Sequence, residues 1–187
     1  MNERKDIIRT RKAIWQAYLD LSCKKSCMEI TASDIIKKAN VSRATFYGHY
    51  KDIHELRKEI ERDFSMMSCE ALLPYIRILF TNCKKACYNI LLFFEKNRTM
   101  LQCVTASGTS ESFFQMCKVK MGNDIIRCAY TGKINDNSKL KCNLIAAMIV
   151  DQGKEVVNGS DETVTVSMRS EALMDMILHG MAMEGNL

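Results

Sequence analysis

The run from Asn40 to Tyr50, NVSRATFYGHY, gathers a guanidinium, two aliphatic hydroxyls, two phenols and an imidazole into one short segment. At the helical angle of about 100° per residue, Phe46 and Tyr50 share one face while Ala44 and Gly48 lie opposite them. The face away from the aromatic pair is therefore floored by two of the smallest side chains. Arg43, Thr45 and Tyr47 border that floor with a forked donor, a hydroxyl and a phenol. Such a helix can approach a polyanion closely, with its first turn and its edges reaching phosphate oxygens and base edges. Catalysis has no comparable signal. The three histidines, His49, His54 and His179, are scattered, and no Ser-His-acid grouping, phosphate-cradling glycine loop or paired ligand motif stands in the chain. The expectation is a binding protein, neither an enzyme nor a cofactor carrier.

The flanking residues supply the means to position this helix. Thr31-Ala32-Ser33-Asp34 has the form of a capping box with Asp in place of Glu. A helix beginning there turns Ile35, Ile36 and Ala39 inward. Asn40 follows directly and is suited to the left-handed conformation that ends a helix. Val41 then plugs into the core and Ser42 caps the next helix, which gives a helix, a tight turn and a second helix. Upstream, Ile7, Ile14, Tyr18 and Leu21 fall at helical spacing from about residue 4 to 22, with Arg11 completing the register. The other face carries Arg4, Lys5, Arg9 and Lys12.

Charge and composition agree. Residues 1–51 hold eleven Lys and Arg against five Asp and Glu, whereas the whole chain carries +5, so the basic charge is concentrated at the N-terminal end. One proline and eight glycines in 187 residues, with Leu, Ile, Met, Lys, Glu and Ala in the periodic stretches, favour an all-α fold.

The segment Ile30–Leu56, ITASDIIKKANVSRATFYGHYKDIHEL, resembles the DNA-binding domain of the TetR family of transcriptional regulators. The family pattern falls on Thr31, Val41, Ser42, Thr45, Phe46, Tyr47, His49 and Tyr50. The resemblance implies an N-terminal three-helix helix-turn-helix domain, residues 1–51, and a C-terminal helical effector and dimerisation domain, residues 52–187, entered by a linking helix over 52–68. It also implies that Thr31 and Tyr47 grip phosphates, and that Ser42, Arg43, Ala44 and Thr45 touch bases or backbone, with His49 and Lys51 completing the DNA-facing set. Two positions depart from the pattern. Ile53 stands where the family usually has a phosphate-contacting lysine, and Gly48 replaces a larger residue that often adds a contact, at roughly 0.5–1 kcal/mol of helix stability relative to alanine.

Beyond the head, Leu56, Ile60 and Phe64 recur at four-residue intervals, and Pro74 reads as a helix start. Ile76, Phe80, Cys83, Cys87, Leu91 and Phe94 form an apolar stripe, and Phe114, Cys117, Met121, Ile125 and Cys128 form a second, joined by a short helix over Met100–Ala106. Phe80, Cys83, Cys87, Leu91, Phe114, Cys117 and Met121 are soft or aromatic side chains that could line a pocket for an apolar ligand; the competing reading is plain core. The pairs Cys23/Cys27 and Cys83/Cys87 have no histidine nearby and fit packing better than a metal site, so no metal is expected. Helices over 138–157 and 162–183 flank the loop NGSDE. Leu140, Leu144, Ala147 and Met148 make one apolar face; Leu173, Met176, Ile177, Gly180 and Met183 make the other, with His179 on the stripe. In the resembled family the corresponding helices join a two-fold mate in a four-helix bundle.

The resemblance thus implies a ligand-responsive repressor acting as a homodimer on a palindromic operator. Its partners would be double-stranded DNA, a second copy of the chain and a small apolar effector. The alternative is a co-regulator of the same fold that works through a protein partner. The charged opening residues argue against a secretory leader, and no uncharged apolar run nears the ~20 residues that a bilayer span needs, so a cytoplasmic, reducing location and no membrane contact are expected.

Overall fold

The computed structural model describes residues 3–105, 110–159 and 163–182, and its regular structure is entirely helical. The α-helices are α1 (Glu3–Ser22), α2 (Ala32–Ala39), α3 (Arg43–His49), α4 (Ile53–Ile76), α5 (Cys83–Lys96), α6 (Arg98–Thr105), α7 (Ser110–Ala129), α8 (Asp136–Asn158) and α9 (Val166–Ala182), with a short 3-10 turn at Cys27–Glu29. No helix among the described residues is long and apolar enough to cross a membrane. The chain divides into two compact units, one of residues 1–64 with 99–111, the other of 65–98 with 112–187, so the continuous helix α4 contributes to both.

In the first unit α1 packs on α2, and α2 on α3. Ile14 and Tyr18 of α1, Ile35 of α2, Phe46 of α3, Tyr50, and Leu56 and Ile60 of α4 are all buried. Ile7, placed on the inward stripe by its spacing, is instead 50% exposed, because the packed part of α1 begins further along.

The second unit is built around α5, which packs against α8 and α9. Close approach explains part of this. A Cβ at Gly153 of α8 would lie 2.6–2.8 Å from three ring atoms of Phe94, so only glycine lets α8 sit against that ring. The C-terminal carbonyls of α8 are closed by Arg98, whose Nε donates to Val156 O at 2.9 Å and Val157 O at 3.3 Å. Gly159 then takes φ 67°, ψ 33°, the left-handed conformation suited to ending a helix.

Three readings from spacing need correction. Pro74 does not start a helix; it lies in the last turn of α4, which ends at Ile76. Lacking an N–H, proline weakens the ladder where the helix is about to stop. The stripe from Ile76 to Phe94 is not one helix either, since residues 77–82 turn between α4 and α5. Phe80 falls in that turn and is 37% exposed, while Leu79 beside it is fully buried. Finally, Cys128 at the end of the second stripe is exposed. The side chains of Arg4, Lys5 and Cys27, the setting of Gly180, and Met183, Ala106 and the last three residues of NGSDE lie outside the described residues.

Cys83, Cys87, Leu91, Phe114, Cys117 and Met121 are buried. The sulfurs of Cys83 and Cys87 are 3.9 Å apart, and burial pushes both thiols above their ordinary range, which suits protonated packing groups. Among the described residues no three or more His, Cys, Asp or Glu side chains gather as metal ligands.

Candidate nucleic-acid interface

The positioning of α3 begins one helix earlier. Thr31 is the N-cap of α2; its hydroxyl accepts from the Asp34 amide at 3.2 Å, and the Asp34 carboxylate accepts from the Thr31 amide at 2.8 Å, so both halves of the capping box form. Lys25 brings its ammonium to 2.8 Å from the same carboxylate oxygen. The Lys25 ammonium, then the Thr31 amide and hydroxyl, hold the Asp34 carboxyl well below the usual carboxylate range. Because the folded value is depressed, the associated stability is present above the ordinary pKa of about 4 and is lost as pH falls toward the folded value.

Asn40 ends α2 at φ 53°, ψ 47°, the one non-glycine residue with positive φ among the described residues. Its amide donates back to Ile36 and Lys37, and the Val41 amide returns to Ile36 O at 3.2 Å. The chain reverses within this turn. Ser42, in extended backbone, then caps α3 by accepting from the Thr45 amide at 2.9 Å, and the two hydroxyls lie 2.7 Å apart.

The seven residues of α3 present two faces. Phe46 and Tyr50 are buried at 0% and 2% exposure. On the other side Ser42, Arg43 and Ala44 are exposed, Thr45 and His49 are half-buried, and a Cβ at Gly48 would meet nothing within 4 Å. Tyr47 is 47% exposed, with the Arg43 guanidinium 6.0 Å from its ring centroid. Lys51 is exposed just past the helix, its amide bound by the Glu55 carboxylate at 2.7 Å, and Ile53 is the first residue of α4. Ser42, Arg43, Ala44, Thr45, Tyr47, His49 and Lys51 thus fall on α3 and its flanks, and Thr31 is exposed at the start of α2.

The sequence did not disclose what stands behind α3. The Trp15 indole donates to the Tyr50 hydroxyl at 3.0 Å, and that hydroxyl donates to Glu59 at 3.1 Å. Arg11 pairs with Glu59, reaches Asp63 at 3.0 Å, and lies 5.3 Å from the Trp15 ring centroid. Burial first, and Glu59 next, push the Tyr50 phenol up to about 12, so it stays protonated at neutral pH. One signal pointed here: Arg11 sits at an inward register of α1, and an arginine in that position needs a carboxylate.

No family model matches the chain. Over 73 residues it is 37% identical to YxbF of Bacillus subtilis, an HTH-type transcriptional regulator; the match covers 38% of this chain and 18% of that relative. Among solved structures, a TetR transcriptional regulator from Streptococcus agalactiae aligns over 95% of this chain and 98% of its own, with TM-score 0.59 and 22% identity. NalD of Pseudomonas aeruginosa, the secondary repressor of the MexAB-OprM multidrug efflux pump, aligns over 94% and 97%, with TM-score 0.59 and 17% identity. From its capped turn and short outward helix to its helical second unit, the chain has the fold of the TetR transcriptional regulators.

Proposed function

We propose that the protein is a DNA-binding transcriptional regulator, a ligand-responsive repressor that acts as a homodimer on a palindromic operator. The observation that carries this reading is the outward face of α3, small-floored by Ala44 and Gly48 and bordered by Arg43, Thr45 and Tyr47, with no neighbouring side chain over Gly48. Residues 1–51 act as the DNA head and 52–187 as the regulatory and dimerising body. Arg43 reads a base edge, while Thr31, Tyr47 and Lys51 hold phosphates. The similarity to YxbF and NalD, named as a regulator and a repressor, supports the assignment.

A second copy would cover the exposed side of α8 and α9. Leu140, Leu144 and Met176 are each more than half exposed, and Ala147 and Met148 are half-buried, while Leu173 and Ile177 point into their own protomer. A groove of about 280 Å³ on this side is lined by Met148, Asp151, Gln152, Arg169, Ala172, Leu173 and Met176. Two copies joined here would carry two heads, which must lie about 34–36 Å apart, or a multiple, to enter successive major grooves. Leu144→Asp is expected to give a monomer by sedimentation and to abolish cooperative operator binding; a dimer that survives the change would place the interface elsewhere. An apolar effector would displace the soft side chains Cys83, Cys87, Leu91, Phe114, Cys117 and Met121, and by favouring one head spacing would change DNA affinity through linkage.

The test is duplex binding against salt. Affinity for a site selected from random DNA should fall steeply with added salt. Arg43→Ala should lose about 1–3 kcal/mol of base discrimination, whereas Tyr47→Phe should weaken all sequences alike. Equal and salt-independent affinity for selected and scrambled duplexes would refute the proposal. A co-regulator working through a protein partner is the second reading, favoured by Ile53 at the first position of α4 where a lysine would meet phosphate; it predicts partner capture by a protein that ignores DNA.

A further inference from the structure

The outward face of α3 can read a sequence only if the helix does not roll. Seven residues make barely two turns, and the two rings that anchor it, Phe46 and Tyr50, are four residues apart on one side. Ring packing is non-directional: it rewards removal from water and leaves the rotation of a short helix weakly defined. Hydrogen bonds are directional, and Tyr50, the C-cap of α3, makes them through its hydroxyl to both α1 and α4, accepting from Trp15 and donating to Glu59. Glu59 is in turn fixed by Arg11, whose guanidinium also contacts Asp63 and faces the Trp15 ring. The result is a closed circuit, Trp15 to Tyr50 to Glu59 to Arg11 and back to Trp15, drawn through α1, α4 and the C-cap of α3.

We infer that Tyr50 is a positioning residue whose hydroxyl, held between Trp15 and Glu59, sets the rotation of α3 and thereby the discrimination between DNA sequences, without touching DNA itself. This rests on the DNA-reading assignment above. Rolling α3 by a few tens of degrees would carry Arg43 and Ala44 away from base edges while leaving Tyr47, Thr31 and Lys51 within reach of phosphates, since phosphate contacts tolerate displacement better than bidentate base contacts. The inference therefore concerns specificity more than affinity.

Tyr50→Phe keeps the ring and removes one oxygen. Wild type and variant would be titrated with a duplex selected by the wild-type protein from a randomised pool and with a scrambled duplex of the same length and salt. The expected result is that affinity for the selected duplex falls about tenfold, the size of effect that one hydrogen bond to a charged group can carry, while affinity for the scrambled duplex stays within about twofold. Trp15 is the single tryptophan of the chain, so its emission should shift in the same variant even without DNA. Trp15→Phe, which removes the indole donor and narrows the ring that Arg11 faces, serves if Tyr50→Phe fails to fold, and should lower the selected-to-scrambled ratio about threefold. Glu59→Gln keeps an accepting oxygen but loses the charge and the pairing with Arg11, so its ratio should fall between those of wild type and Tyr50→Phe. An unchanged ratio in a folded Tyr50 or Trp15 variant would overturn the inference, whereas a wild-type protein that selects no duplex would instead overturn the DNA-reading assignment.

Discussion

Phe46→Ala is expected to destabilise the protein by about 3–5 kcal/mol, the range for truncating a large buried aromatic side chain. Phe46 is the one buried residue within α3, fully enclosed, and stacks edge-on against Tyr47 at 5.4 Å and tilted against Tyr50 at 6.0 Å between centroids. A helix of two turns has no independent stability in water, so what holds α3 is this ring and its neighbour. Urea denaturation followed by circular dichroism would measure the loss. A cost under about 1 kcal/mol would mean that α3 is anchored by something other than the packing described.

The second large effect is expected at Phe94, where alanine should also cost about 3–5 kcal/mol. The ring is buried in α5 and lies over Gly153 of α8, which has no side chain with which to refill the space. The converse change, Gly153→Ala, places a methyl 2.6 Å from the ring and should cost about 1–3 kcal/mol through overpacking. The two costs should not add. In the double variant the new methyl occupies part of the vacated volume, so denaturation of all four proteins should give a total loss smaller than the sum of the single losses. Strict additivity would show that α5 and α8 do not meet through this pair.

The parts of the head that were legible in the sequence are those decided within a few residues. The capping box at Thr31, the left-handed Asn40 and the Ser42 cap each depend on a backbone conformation and on a side chain three or fewer positions away, so residue type at that spacing is nearly sufficient. The division of α3 into a buried and an open face followed from helical angle for the same reason. What stayed hidden depends on distance along the chain. Trp15, Tyr50 and Glu59 meet across 35 and 9 residues, and only the inward Arg11 hinted at a carboxylate there. In the second unit, apolar periodicity carried straight across the turn at 77–82, because Leu79 and Phe80 are equally hydrophobic and nothing local decides which of them is buried. The α8 and α9 faces were seen as apolar, yet spacing could not separate Leu173 and Ile177, which are buried within the chain, from Met176, which is exposed.

The empty space above Gly48 also bears on how such a protein diversifies. Beyond its chain neighbours and its own helix backbone, no atom stands within 4 Å of where a Cβ would sit, and the backbone there is ordinary right-handed helix, so the position accepts a Cβ without rearranging its surroundings, proline excepted. Alanine there would even strengthen the helix slightly. Evolution or an engineer can therefore add a new contact at the centre of the exposed face in one mutational step, leaving the scaffold's folding energy nearly untouched.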